Sequence, residues 1–177
     1  MKHKPVVFWV LSIILSLYAC HDKSSNDKAT GEKQYHVQPI NEANLKRLIE
    51  ERNGKFLFLN IWATWCIPCK EEFPDLVKLQ DDYKNSNVEI VGISLDYPDE
   101  VSSKILPFLK ANNVNFEVFV QNFEKQEDLI NTLNKEWNGG LPATFLFDVN
   151  GTQKVFIFGR HDYVYYKQQI EKLRNSS

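Results

Sequence analysis

The chain has 177 residues, 43% of them hydrophobic, with seven Gly and seven Pro dispersed along it. That is enough for one domain with a real core, and it excludes a wholly disordered or fibrous chain. The formal charge is −2, and −4 (19 basic against 23 acidic residues) once a leader carrying Lys2 and Lys4 is set aside, which excludes the basic footprint of a nucleic-acid binder. Three cysteines, Cys20, Cys66 and Cys69, are too few for a disulfide framework, so packing must hold the fold.

Met1 to Ala19 has the parts of an export signal: a basic start at Lys2 and Lys4, an apolar centre from Val6 to Leu17, and a small residue before a cut site. The apolar part is short of the roughly 20 residues that span a bilayer. Leu17-Tyr18-Ala19-Cys20 resembles the lipobox of bacterial lipoproteins, which implies lipidation of Cys20. An ordinary cut signal with a free thiol and an uncleaved membrane anchor are the alternatives. His21 to Lys33 is polar throughout and reads as a flexible tether. The expected organisation is a signal over residues 1–19, a lipid anchor and tether over 20–34, and a folded domain over 35–177.

From Tyr35 onward strand and helix signals alternate, as in an α/β domain. Asn41 is a plausible N-cap for a helix with Leu45, Leu48 and Ile49 on one face, ending near Asn53-Gly54. Phe56 to Trp62 is a continuous apolar run, the pattern of a central strand covered on both faces. After Cys66 a helix carries Phe73, Leu76, Val77, Leu79 and Tyr83, and Pro74 is expected to kink it. Val88 to Leu95 is a second core strand. Asp99 to Asn113 reads as one helix with Pro107 as a local flaw, Phe116 to Val120 as a short strand, and Glu124 to Trp137 as another helix. Ala143 to Phe147 is a strand, Asn150-Gly151 a hairpin turn, and Gln153 to Phe158 the returning strand. A final helix from Tyr163 to Leu173 closes the domain.

Cys66 and Cys69 stand one helical turn apart at a strand-to-helix junction, a redox motif more often than a metal knuckle. With Asn60-Ile61-Trp62-Ala63 before the pair, Trp65-Cys66-Ile67-Pro68-Cys69-Lys70 around it, Glu72-Phe73-Pro74 after it and Gly140-Leu141-Pro142-Ala143-Thr144-Phe145-Leu146 downstream, the chain resembles the thioredoxin superfamily. It is most similar to the TlpA/ResA-like branch of exported, membrane-tethered thiol–disulfide oxidoreductases, over roughly Val37 to Leu173. The resemblance implies a thioredoxin-like fold, a central mixed β-sheet flanked by helices, with no cofactor.

Thiol–disulfide exchange needs a thiolate attacker and a second thiol to resolve the mixed disulfide. Cys66 falls at the first turn of its helix, where unpaired amide hydrogens and the helix dipole favour negative charge, so it is the expected nucleophile with an exposed sulfur. Cys69, one turn deeper, is the expected resolving thiol, and Pro68 fits an early helical position that needs no N–H. Trp65 is placed to shield the pair on one side, or else is merely a packed aromatic. The resemblance implies a cis Leu141–Pro142 bond opposite the disulfide, whose backbone pairs with extended substrate and whose ring keeps metals away. Thioredoxin's buried aspartate is replaced here by Asn60, which cannot titrate. In this branch a glutamate three residues after the second cysteine is implicated instead, and Glu72 matches it. Glu72 shares a helix face with Cys69, and a partly buried Glu72 of raised pKa could relay the proton of Cys69; a solvated helix glutamate is the alternative.

The expected activity is reduction of disulfides in exported proteins, with cytochrome c maturation or oxidative-stress defence as family roles. The expected partners are those substrate proteins, a membrane thiol-transfer electron donor and, through the lipid on Cys20, a membrane of the bacterial cell envelope with the domain on its periplasmic side. Two other readings stand beside it: a copper carrier using Cys66, Cys69 and His161, and a thiol peroxidase, although the chain lacks the Thr-x-x-Cys arrangement of the latter.

Overall fold

A computed structural model describes residues 34–176; the export signal, Cys20 and nearly all of the tether lie outside the described residues. Six strands form one mixed sheet in the order β1-β4-β3-β2-β5-β6. Strands β2 (Phe56–Trp62), β3 (Val88–Ser94) and β4 (Glu117–Gln121) run parallel, and β1 (Val37–Ile40) adds in parallel at one edge. Strand β5 (Ala143–Phe147) pairs antiparallel with β2, and β6 (Gln153–Phe158) forms a hairpin with β5 at the other edge. Helices α1 (Glu42–Glu50), α2 (Ile67–Tyr83), α3 (Leu106–Ala111), α4 (Gln126–Leu133) and α5 (Tyr163–Asn175) flank the sheet. This is the mixed, helix-flanked sheet expected from the sequence.

Alternation along β2 divides the core. Leu57, Leu59 and Ile61 join residues of α1 and α4, including Leu45, Ile49 and Leu129, on one face. Phe56 and Phe58 point the other way, among Leu76 and Leu79 of α2 and Tyr166, Ile170 and Leu173 of α5. Trp62 continues that face beneath the cysteines, with Phe73, Ile105, Leu109 and Val118. Both faces of β2 are therefore dry, which is why its sequence is an unbroken apolar run with one polar residue, Asn60.

Several element boundaries differ from those read in the sequence. Helix α1 stops at Glu50 because Arg52 turns inward: its guanidinium donates to the Leu48 carbonyl at 2.6 Å and pairs with Glu89 at 2.5 Å. Helix α2 continues through Pro74 as the expected single element, with Pro74 on the exposed face, where water can take the carbonyl left without an N–H partner. The single helix expected over Asp99 to Asn113 is instead a 3-10 turn (Pro98–Glu100), a wide i→i+5 turn (Val101–Ile105) and the short α3. Pro107 cannot donate into an α-helical ladder, and the change of pitch just before it absorbs that missing bond. Strand β4 lies one residue later than expected, and α4 is shorter at both ends. Asn134 leaves helical geometry at φ −164° and its side chain accepts from the Glu136 N–H, while Trp137 turns back to donate its indole N–H to the Gly140 carbonyl at 2.8 Å. Strand β1 carries no strong sequence signal: it has four residues, and Pro39 is tolerated because it lies in an edge strand.

The β5–β6 turn requires its glycine. Gly151 has φ +77°, and a Cβ there would lie 2.4 Å from the Ile49 carbonyl oxygen at the end of α1. Gly151→Ala should therefore destabilise the domain by about 1–3 kcal/mol from backbone conformation alone, with the clash added, and lower the urea midpoint without changing the slope.

Candidate redox site

The site is built at the carboxyl end of β2. After Trp62 the chain crosses a short loop and enters α2 with Cys66 as its N-cap, in extended geometry at φ −87°, ψ 106°. Cys66 Sγ accepts from the Cys69 N–H at 3.3 Å, so one of the helix's unpaired amides is aimed at the sulfur. Cys66 and Cys69 form a disulfide with Cα atoms 5.3 Å apart. Pro68 is the second helical residue, where an N–H is not needed. In this oxidised form both cysteines are buried: Cys66, expected to be exposed, is at 6% exposure and Cys69 is fully enclosed, so Cys66 is the less covered of the two.

An aromatic floor supports the pair from below. The Trp62 ring meets Phe73 at 4.5 Å and Phe108 at 5.0 Å, and Phe73 meets Phe108 edge-on at 4.8 Å. Trp65 behaves differently: it is 63% exposed and not packed into the core. It forms one wall of a groove of about 520 Å³, with Leu95, Tyr97, Phe123, Leu129 and Gly139 among the other walls. Tyr97, in the groove, and Ile67, directly after Cys66, are also exposed, and Gln121 and Glu124 add polar walls to the groove. The Leu141–Pro142 bond is cis, and Leu141 packs against the cluster that contains both cysteines.

The loop before Cys66 is pinned by a residue to which the sequence drew no attention. Asp96, fully buried just beyond β3, accepts from the Thr64 backbone N–H at 2.9 Å and from the hydroxyls of Thr64 and Ser94. Its carboxyl thus ties the residue two before Cys66 to the neighbouring strand.

A second buried polar cluster lies on the α2/α5 side of the sheet. Glu72 is wholly buried, more than the partial burial expected of it. Asn60 Nδ2 donates to Glu72 Oε1 at 2.8 Å and to Thr144 Oγ1 at 3.1 Å, and the Tyr166 hydroxyl donates to Glu72 Oε2 at 2.7 Å. Asn60 and Thr144 are register partners across β2 and β5, so two adjacent strands and two helices meet at one carboxyl group. Burial pushes the Glu72 carboxyl up to about 7; the hydrogen bonds from Tyr166 and Asn60 and the charge of Arg160 pull it down, while Asp75 raises it. Tyr166 was legible only as part of a closing helix. Its place on the buried stripe with Ile170 and Leu173 is the available signal, since a buried tyrosine hydroxyl needs a partner.

His161 is not gathered to the thiols. Its ring stacks on Tyr165 at 4.1 Å, and among the described residues no group of three or more His, Cys, Asp or Glu is placed to hold a metal ion. Lys70 and Glu71 are exposed helix charges, Glu71 pairing with Arg160 at 3.3 Å.

The AhpC/TSA family matches residues 30–155. The chain belongs to that family. Within it the chain is ResA-like: it is 30% identical over 179 residues to the thiol-disulfide oxidoreductase ResA of Bacillus cereus (strain ATCC 10987 / NRS 248), covering 97% of this chain and 96% of that one. With the ResA of Geobacillus kaustophilus it shares 34% identity over 111 residues, which span 63% of this chain and 59% of the relative's length. Among solved structures, a thioredoxin-related protein from Neisseria meningitidis serogroup B superposes with a TM-score of 0.59 at 25% identity, covering 69% of this chain and 87% of the other. The ResA-like chain is a thiol–disulfide oxidoreductase whose redox pair is the Cys66–Cys69 disulfide.

The Glu72 environment makes stability depend on pH. The unfolded chain releases the Glu72 proton near 4.5, whereas the folded protein holds it to about 7. The stabilisation from keeping that proton is complete below about pH 4.5 and is lost as pH rises through about 7. Urea unfolding of the oxidised protein should lose on the order of 3 kcal/mol between about pH 5 and pH 8, a loss that Glu72→Gln removes.

Proposed function

We propose that this ResA-like protein reduces disulfides of exported proteins outside the cytoplasm, held to a membrane of the bacterial cell envelope by lipid on Cys20. The observation that carries the reading is the disulfide pair itself: Cys66 caps the helix N-terminus and accepts from the Cys69 N–H, while Cys69 is fully enclosed one helical turn before the buried Glu72. Ile67-Pro68 between them lacks the histidine of strongly oxidising sites, which favours the reducing direction.

In the reduced protein the Cys69 N–H and the first turn of α2 stabilise a Cys66 thiolate. Cys66 Sγ attacks one sulfur of a substrate disulfide; a bond forms to that sulfur and the other sulfur leaves as a thiolate. Cys69 then gives its proton to Glu72 and attacks Cys66 Sγ. The second substrate thiolate leaves and the Cys66–Cys69 disulfide forms, which is the state seen here. The substrate backbone lies along Leu141–Pro142, with its side chains in the groove beside Trp65. A membrane thiol-transfer partner returns two electrons by the reverse exchange.

Two substitutions test this. Cys66→Ala should abolish insulin reduction. Cys69→Ala should leave mixed disulfides standing on Cys66, recoverable from cells under non-reducing conditions and identifiable by mass spectrometry. Trapped cell-envelope proteins are the expected result; an empty Cys66 together with insulin reduction by Cys66→Ala would overturn the assignment.

A further inference from the structure

Glu72 and Cys69 occupy successive turns of α2, and neither reaches solvent. A carboxyl so placed can take a proton from Cys69 only if it is ionised when the resolving step begins, and burial opposes ionisation. Two hydrogen bonds counter burial. The Asn60 amide supplies one, and an amide nitrogen can only donate. Tyr166 supplies the other from a hydroxyl, which can donate to a carboxylate and accept from a carboxylic acid. That hydroxyl is itself held: the His161 backbone N–H donates to its oxygen at 3.3 Å, and the Tyr166 ring meets Phe58 edge-on at 5.2 Å. We propose that Tyr166 is a positioning residue for thiol–disulfide exchange, its hydroxyl orienting the Glu72 carboxyl and keeping it able to accept the proton of Cys69. This inference rests on the reading of Glu72 as the base of the resolving step.

The groups around Glu72 separate the effect of Tyr166 from that of its neighbours. On α2 itself, Asp75 opposes ionisation of Glu72. From the turn before α5, Arg160 favours it through charge alone while pairing with Glu71 at 3.3 Å. His161 turns its ring onto Tyr165, and β2 and β5 present only the neutral Asn60 and Thr144. Removing the Tyr166 hydroxyl while keeping its ring therefore changes no charge and deletes one of two donors to the carboxylate. Glu72 then stays protonated to higher pH and cannot serve Cys69 there. In the step itself the Cys69 S–H bond breaks with its proton passing to a Glu72 oxygen, the Cys69–Cys66 bond forms, and the electron pair of the broken disulfide leaves on the substrate sulfur.

The test is stopped-flow reaction of the reduced protein with dithionitrobenzoate, whose second release of coloured thiolate reads the attack of Cys69 on Cys66. Tyr166→Phe should move the midpoint of that second phase up by about one pH unit, a roughly tenfold slowing on its acidic limb. The first phase, attack by Cys66, should be unmoved. Incorporating 3-fluorotyrosine at 166, a stronger donor of the same shape, should move the midpoint down. Glu72→Gln should remove this limb, and adding Tyr166→Phe to it should shift nothing further. A Tyr166→Phe profile that superimposes on the parent while the melting temperature falls would overturn the inference, leaving Tyr166 a packing residue. A Glu72→Gln profile identical to the parent would instead overturn the reading of Glu72 on which the inference rests.

Discussion

One buried carboxyl group organises the interior behind the disulfide. Glu72 receives Asn60 from β2 and Tyr166 from α5, and Asn60 reaches on to Thr144 of β5. An unpaired carboxyl would not be tolerated in this position, because burying it without partners costs several kcal/mol. Each partner must therefore arrive at the same point, so a shift of α2 or α5 on the sheet, or a slip of the β2–β5 register, would leave the carboxyl unpaired. The same burial pushes the carboxyl up to about 7, against the pull of its hydrogen bonds.

On the far side of α2 the constraints are apolar. Phe73 meets Trp62 and Phe108 edge to face, Trp62 meets Phe108 at a tilt, and the three rings close the space beneath Cys66 and Cys69. The start of the helix thereby keeps Ile67, Pro68 and Lys70 at the surface and turns Cys69, Glu72 and Phe73 inward. Asp96 fixes the loop leading into that turn through Thr64. Cys66 at the helix N-cap is slightly less covered than Cys69, which these contacts enclose completely.

Legibility followed the range of the interaction. Strands β2, β5 and β6 have the bounds read from the sequence, because a doubly covered strand is apolar at nearly every position and a hairpin turn must carry its glycine. The composite helix after β3 was read as one element, since hydrophobic period does not distinguish α from wider pitch and only Pro107 hinted at the break. Strand β1 was missed because an edge strand of four residues needs neither alternation nor β-branched residues when its pairing comes from β4. Trp65 was expected either to shield the pair or to be a packed aromatic; it is not packed into the core but forms a groove wall, a choice of neighbours that no local pattern encodes.

The sequence by itself determined the chemistry: two cysteines one turn apart at a helix start, a Leu141–Pro142 step before a strand, and a glutamate three residues after the second thiol. These are short-range patterns, and their physics acts through covalent spacing and helix geometry. The tertiary structure alone decided what surrounds them. Tyr166 lies 94 residues from Glu72, Thr144 lies 84 from Asn60, and Asp96 lies 32 from Thr64. Such pairs form only when the sheet has chosen its strand order and the helices their faces, because the free energy that brings them together is the burial of the surrounding core, to which the polar groups themselves contribute little.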